Sequence, residues 1–264
     1  MKLKRYCKPA SLQEAVQILR ETEGPVTLLA GGTDVLVYGR EADDRYADHT
    51  VVDIFGLPEL TGISEDGDFL VIGAGATHTQ IEQSPLVQRH ADVLAQASSK
   101  SNTNVGMMGE TFKYVAPVAG ALGYSVEDAA VAIGLMANSG IKSSQAGTAL
   151  RQTLTRLAKP TDEVEAAMED LGISLTDSEG NMKSLGEVML DMRKGFKNLT
   201  KDQQAQYAAS IAGQEGMSGL LAIVNASDED FNTLTKAIQN SDGAAQSMAD
   251  TMQDLSLIHI SEPT

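Results

Sequence analysis

The residues best suited to chemistry in this chain are Ala30-Gly31-Gly32-Thr33-Asp34. They follow the apolar run Val26–Ala30 and precede Val35–Tyr38, which predicts a short helix. Two glycines between a strand and a helix let a ligand approach the backbone closely. Backbone N–H groups at such a turn can point at phosphate oxygens, aided by the helix N-terminus. Thr33 adds a hydroxyl donor. The stretch is not a Walker loop, because no Gly-Lys-Ser/Thr follows, and it lacks the Rossmann spacing. A Gly-Gly turn ahead of an aspartate also serves as ordinary turn chemistry. The residues alone leave both readings open.

No second constellation competes with it. The four histidines (49, 78, 90 and 259) are scattered, with no pair at helical i, i+4 spacing. Cys7 is the single cysteine, which excludes an internal disulfide and a cysteine cluster for zinc or iron–sulfur. No catalytic residue and no metal ligand is assigned. The net charge is −16 and the pI about 4.6, which argues against nucleic-acid and membrane-surface partners. No apolar run approaches the roughly 20 residues of a membrane span. The basic start Met1–Tyr6 lacks the apolar core of a signal peptide, so the expected compartment is the cytoplasm.

The elements around the glycine turn alternate α and β. Ser11-Leu12-Gln13-Glu14 fits a capping box, and Leu12, Ala15, Val16 and Leu19 share one helical face up to Gly24-Pro25. Val26–Ala30 and Thr50–Ile54 read as short buried strands. Ile63 and Phe69–Ile72 flank Glu65-Asp66-Gly67-Asp68 as a hairpin. A helical segment follows at Thr79–Gln83.

In order and spacing, four stretches resemble a known family. They are Tyr6 with Pro9–Ala15, Leu29–Leu36, Val52-Asp53-Ile54 with Leu57–Leu60 and Ile63, and Ile72–His78. The family is the FAD-binding subunit of molybdenum hydroxylases, the xanthine and nicotinate dehydrogenase type. The resemblance covers residues 1–90 and implies half of a PCMH-type FAD-binding domain. It implies FAD contacts at Leu29, Ala30, Gly31, Gly32, Thr33 and Asp34. It also implies molybdopterin and iron–sulfur subunits as partners of a flavin that relays electrons. Asp53, Thr77 and His78 read as structural, at a strand end and a helix entry. The family's second glycine-rich loop, of the type Thr-Ile-Gly-Gly-Asn, and the Ser-Pro and Asp that complete the pocket do not occur here. The expectation is therefore an incomplete flavin site, with FAD bound weakly or not at all.

The character of the chain changes across Ala91–Ser101. Of 11 methionines, only Met1 precedes it. The stretch itself predicts a helix with Ala91, Leu94, Ala95 and Ser98 on one face, which could close the first part or open the second. Beyond it the pattern is helical. Starts are expected at Ser125, Ser144, Thr161, Ser184 (with Glu187), Thr200 (with Gln203) and Ser227 (with Asp230). Gly172 is expected as a C-cap, and Ile173–Thr176 with Met182-Lys183 as a hairpin. The acidic residues fall mostly in first turns, where the helix dipole favours them. The methionines read as fillers of an irregular core or as an adaptable groove.

Segments through this part, among them Gly109–Gly120, Gly123–Asp128, Gly134–Lys142, Gly147–Arg151, Leu171–Ser174 and Gly213–Gly219, resemble phage tail tape measure proteins. The resemblance implies a structural protein without an active site in this region, located in the virion tail with tail tube proteins as partners. Leu255–Thr264 resembles the conceptual translation of a sequencing adaptor and predicts an extended or poorly packed tail, exposed beyond Asp254. The expected organisation is thus a chimera without one coherent function. It comprises a partial FAD-binding subdomain (1–90), a junction helix (91–101), a helical tape-measure-like domain (102–254) and the adaptor-like tail (255–264).

Overall fold

A computed structural model of the chain describes residues 3–31, 46–66 and 69–260. The chain divides into two compact units, Met1–Val87 and Gln88–Thr264. The division falls inside one helix, Pro85–Lys100.

The first unit holds a three-stranded parallel sheet. Strands β1 (Arg5–Cys7), β2 (Val26–Leu29) and β3 (Thr50–Asp53) lie in the order β1-β3-β2. The register places Tyr6, Val51 and Thr27 side by side, then Cys7, Val52 and Leu28. Helix α1 (Leu12–Glu21) packs its Ala15 into a small cluster with Val52, Ile54 and Leu57. The Ser11 hydroxyl accepts from the Glu14 N–H at 3.2 Å, as the capping box requires. The Glu14 carboxylate, however, accepts from the N–H of Ala10 at 2.7 Å rather than from that of Ser11. The box is thus displaced one residue upstream. Strand β1 carries no apolar alternation and is not signalled by pattern.

Strands β4 (Ile63–Asp66) and β5 (Phe69–Ile72) pair antiparallel, as the hairpin pattern predicts. A short 3₁₀ turn, Pro58–Leu60, precedes them. Gly73 and Gly75 follow because their backbone lies against it. A Cβ on Gly73 would sit 2.1 Å from the Leu60 carbonyl oxygen, and the Gly75 N–H donates to that same oxygen at 2.8 Å. Thr77 and Gln80 then form a full capping box for α2 (His78–Glu82). The helix expected at Val35–Tyr38 lies outside the described residues.

The second unit is helical: α3 (Pro85–Lys100), α4 (Val105–Ala121), α5 (Val126–Asn138), α6 (Ser143–Ala158), α7 (Asp162–Leu171), α8 (Leu185–Phe196), α9 (Lys201–Val224), α10 (Asp228–Gln239) and α11 (Ala244–Ile260). Val93 and Ala97 belong to the helical core, so the part of α3 that could close the first piece instead opens the second. Helix α5 is its most buried element, with every residue from Ala129 to Ala137 inside.

Small residues set how closely the helices approach. A Cβ on Gly147 would meet the Thr111 carbonyl and the Tyr114 side chain at 2.9 Å. One on Gly219 would meet the Ala149 Cβ at 2.8 Å and the Met136 sulfur at 3.0 Å. Glycine is used here as absent volume, so α6 can lie against both α4 and α9.

Three expectations are corrected. Helix α6 begins at Ser143, with Lys142 in the cap position and no side-chain cap, rather than being capped by Ser144. The hairpin at 173–183 reduces to one bridge, Thr176 to Met182. There the Asp177 carboxylate takes the N–H groups of Glu179 and Asn181 at 2.8 and 2.9 Å, closing a loop instead of extending a ladder. The C-terminal stretch, expected to be extended or poorly packed, is not extended: residues 255–260 continue α11 as helix.

Candidate functional site

The glycine turn leaves the carboxyl end of β2, where ligands of parallel sheets are bound. Leu29 is half-buried, and its carbonyl accepts from the Ile54 N–H at 2.8 Å. Ala30 and Gly31 are exposed. Gly31 has φ +99°, and a Cβ there would meet nothing within 4 Å. Its glycine serves a backbone conformation, not a close contact with protein. Gly32, Thr33 and Asp34 lie outside the described residues. The structure thus places three of the six candidate residues: Leu29 ends β2 half-buried, and Ala30 and Gly31 follow it exposed.

A carboxylate next to the turn is already engaged. Asp53 sits beside Leu29 in register. One of its oxygens accepts from the Phe55 N–H at 3.0 Å, and the other accepts from the Tyr6 hydroxyl at 2.5 Å. That hydrogen bond is the main cause holding the Tyr6 phenol above its ordinary pKa. Asp53 therefore ties β3 to β1 across the sheet. Gly73 and Gly75 offer no phosphate cradle, because their N–H groups donate to the carbonyls of Gly62 and Leu60.

In the helical unit, four charged side chains meet the backbone at helix ends or breaks. Helix α9 is interrupted at Gly213, with φ 72° and ψ 173°. Arg156 of α6 donates to the carbonyls of Ile211 (3.1 Å) and Ser210 (2.9 Å) at that break. Arg193 of α8, with only 9% of its side chain exposed, donates to the Ile223 carbonyl in the last turn of α9 at 2.9 Å. It also donates to Asp228 at 2.7 Å and lies 4.9 Å from the centre of the Phe231 ring. Both guanidiniums sit where helix carbonyls are unpaired and the dipole is negative.

Two aspartates do the converse at N-termini. Asp128 accepts from the Gly186 N–H in the first turn of α8 at 3.0 Å. Asp92 accepts from the N–H groups of Gly243 and Ala245 at 3.0 and 2.8 Å, capping α11. None of these four clamps is evident from sequence, because each joins residues at least 54 positions apart or, for Arg193, 30. Among the described residues, no group of three or more His, Cys, Asp or Glu could hold a metal ion.

This arrangement braces helices and presents no nucleophile or acid–base pair. The sequence model of the family described as phage-related minor tail protein matches residues 71–213. The chain belongs to this phage-related minor tail protein family. It is 44% identical over 164 residues to a tape measure protein of Pneumococcus phage Dp-1, covering 62% of this chain and 14% of that protein. It is 33% identical over 166 residues to a probable tape measure protein of Escherichia phage P2, covering 62% and 20%. It is also 42% identical over 96 residues to a putative xanthine dehydrogenase FAD-binding subunit of Escherichia coli, covering 36% and 32%. The chain therefore spans a third or less of each of these relatives. No solved structure matches it significantly. The likeness is composite: tape measure proteins on one side, FAD-binding dehydrogenase subunits on the other.

Proposed function

We propose that residues 88–254 are a structural module of a phage tail, and that residues 1–87 retain no FAD of their own. The observation that carries the first part is the set of four clamps. Arg156, Arg193, Asp92 and Asp128 spend their charge on backbone groups of the same unit. A unit organised this way stabilises helix ends and presents no site for chemistry. Its partners would be tail tube proteins and its location the virion tail. Among the described residues, no helix is long and apolar enough to cross a membrane.

For the first unit, support comes from the exposure of Ala30 and Gly31 at the end of β2. An isoalloxazine ring needs walls on both faces. Leu29–Asp34 would supply one wall, and the loop that would supply the other is missing from the sequence. Molybdopterin and iron–sulfur subunits would be partners only of a complete FAD-binding subunit. We place the junction between Pro85 and Asp92, and assign residues 255–264 to an adaptor.

Incubating the purified chain with excess FAD, followed by gel filtration, tests the flavin reading. Colourless protein is expected; stoichiometric yellow protein overturns it. Complementation of a tail-assembly mutant, scored by incorporation into tails, tests the structural reading. Sequencing-read coverage across codons 85–102 tests the junction, and a fall in coverage there is expected.

A further inference from the structure

We infer that Gly213 is a hinge and Arg156 its latch, so that α9 has a second state in which it is one continuous helix. In an α-helix the carbonyls of Ser210 and Ile211 would accept the N–H groups of Gln214 and Glu215, four residues on. The turn at Gly213 withdraws those donors. The Arg156 guanidinium takes their place, one N–H to each carbonyl. Both states therefore satisfy the same two acceptors, one through Arg156 and the other through the backbone. That exchange of equivalent partners is what a bistable element needs.

The site is built for the broken state by more than the arginine. Only glycine tolerates φ 72° with ψ 173° without strain. The Gln152 amide nitrogen lies where a side chain at 213 would go, 2.6 Å from a Cβ placed there. Beyond the break, Gly216 and Gly219 sit against Ala149 and Thr153 of α6, which buries Leu220 and Ile223. Straightening would move this arm off α6 and free its apolar face for another surface. Gln214 and Glu215 are themselves exposed. The inference rests on this geometry and does not depend on the proposed tail location.

Residue-resolved amide hydrogen exchange on the full chain tests it, with three variants: Arg156→Met, Arg156→Lys and Gly213→Ala. In the wild-type chain Gln214 and Glu215 should exchange fast while the Leu220 amide is protected. In Arg156→Met and Gly213→Ala, protection at Gln214 and Glu215 should rise by about tenfold or more as the helix closes across the break. Arg156→Lys keeps a cationic donor but on a single nitrogen, without the guanidinium fork, and should give an intermediate rise. Two results overturn the inference. One is fast exchange at 214 and 215 in all three variants with Leu220 still protected, which would show a fixed break. The other is a uniform loss of protection across the unit, which would show a clamp that only stabilises.

Discussion

The Asp92 carboxylate accepts the backbone N–H of Ala245 at 2.8 Å across 153 positions of sequence. Its other oxygen takes the N–H of Gly243. Helix α11 has no cap of its own, so α3 provides it. Asp92 therefore functions with the helical unit, although it lies in the stretch where the composition of the chain changes. Asp92→Ala should lower the stability of that unit by about 1 kcal/mol, the usual worth of an N-cap side chain. Asp92→Asn should recover part of it, since an amide oxygen still accepts. Urea unfolding followed by helical circular dichroism measures both.

Arg193 and Asp228 form an ion pair at 2.7 Å, but the two ends differ in burial. The arginine side chain is 9% exposed and the aspartate 83%. Breaking the pair from the exposed end should therefore cost under about 1 kcal/mol, as surface ion pairs do. Arg193→Met should cost about 2–3 kcal/mol, because it also strands the Ile223 carbonyl and removes the cation from the Phe231 face. Equal losses for Asp228→Asn and Arg193→Met would show that the exposed ion pair dominates.

Two glycines in helices give opposite expectations. Gly109 in α4 has open space where a Cβ would go, so Gly109→Ala should stabilise by about 0.5–1 kcal/mol through helix propensity. Gly219 meets Ala149 and Met136 at 3.0 Å or less, so Gly219→Ala should destabilise by about 1–3 kcal/mol through overpacking. Thermal midpoints of the two variants should move in opposite directions.

The Asp177 carboxyl is held below its ordinary pKa, first by the Asn181 side-chain amide and then by the backbone N–H groups of Asn181 and Glu179. A depressed folded pKa stabilises the loop above the unfolded value, near 3.8, and the effect is lost as pH falls through the folded value. Amide exchange at Glu179 and Asn181 should accelerate relative to neighbouring loop amides as pH is lowered below that range. Asp177→Asn should abolish the pH dependence. An unchanged profile in the variant would remove Asp177 as its cause.

Helix starts were legible because they are local. Ser125, Ser184 with Glu187, Thr200 with Gln203, and Ser227 all cap the helices that their spacing predicts. Gly172 ends α7 in the left-handed conformation, as expected. Helix α4 escaped because its cap, Asn104, opens a run of Gly, Met, Ala and Val without clear periodicity. Of the expected face of α3, Ala95 and Ser98 are buried and Leu94 packs against the core, but Ala91 is only half-buried and the burial extends to Val93 and Ala97. That shift follows from packing, which propensity does not encode.

The break at Gly213 and the arginines that close helix ends are tertiary facts. No window of sequence joins Arg156 to Ser210. Of the glycine turn, the sequence conveys residue types and order. Its fitness for a ligand depends on which residues face it in the fold, which residue types and order do not convey.

The central claim is that two unrelated pieces fold as separate units. Differential scanning calorimetry of the full chain with one core variant in each unit tests it most directly. Val52 is fully buried beside Ala15, and Leu154 is 1% exposed in the helical core. Each truncation to alanine should cost about 2–5 kcal/mol in its own unit, with valine at or below the low end of that range. The account predicts two transitions: Val52→Ala shifts one and leaves the other in place, and Leu154→Ala does the reverse. A single cooperative transition lowered by both variants would contradict it.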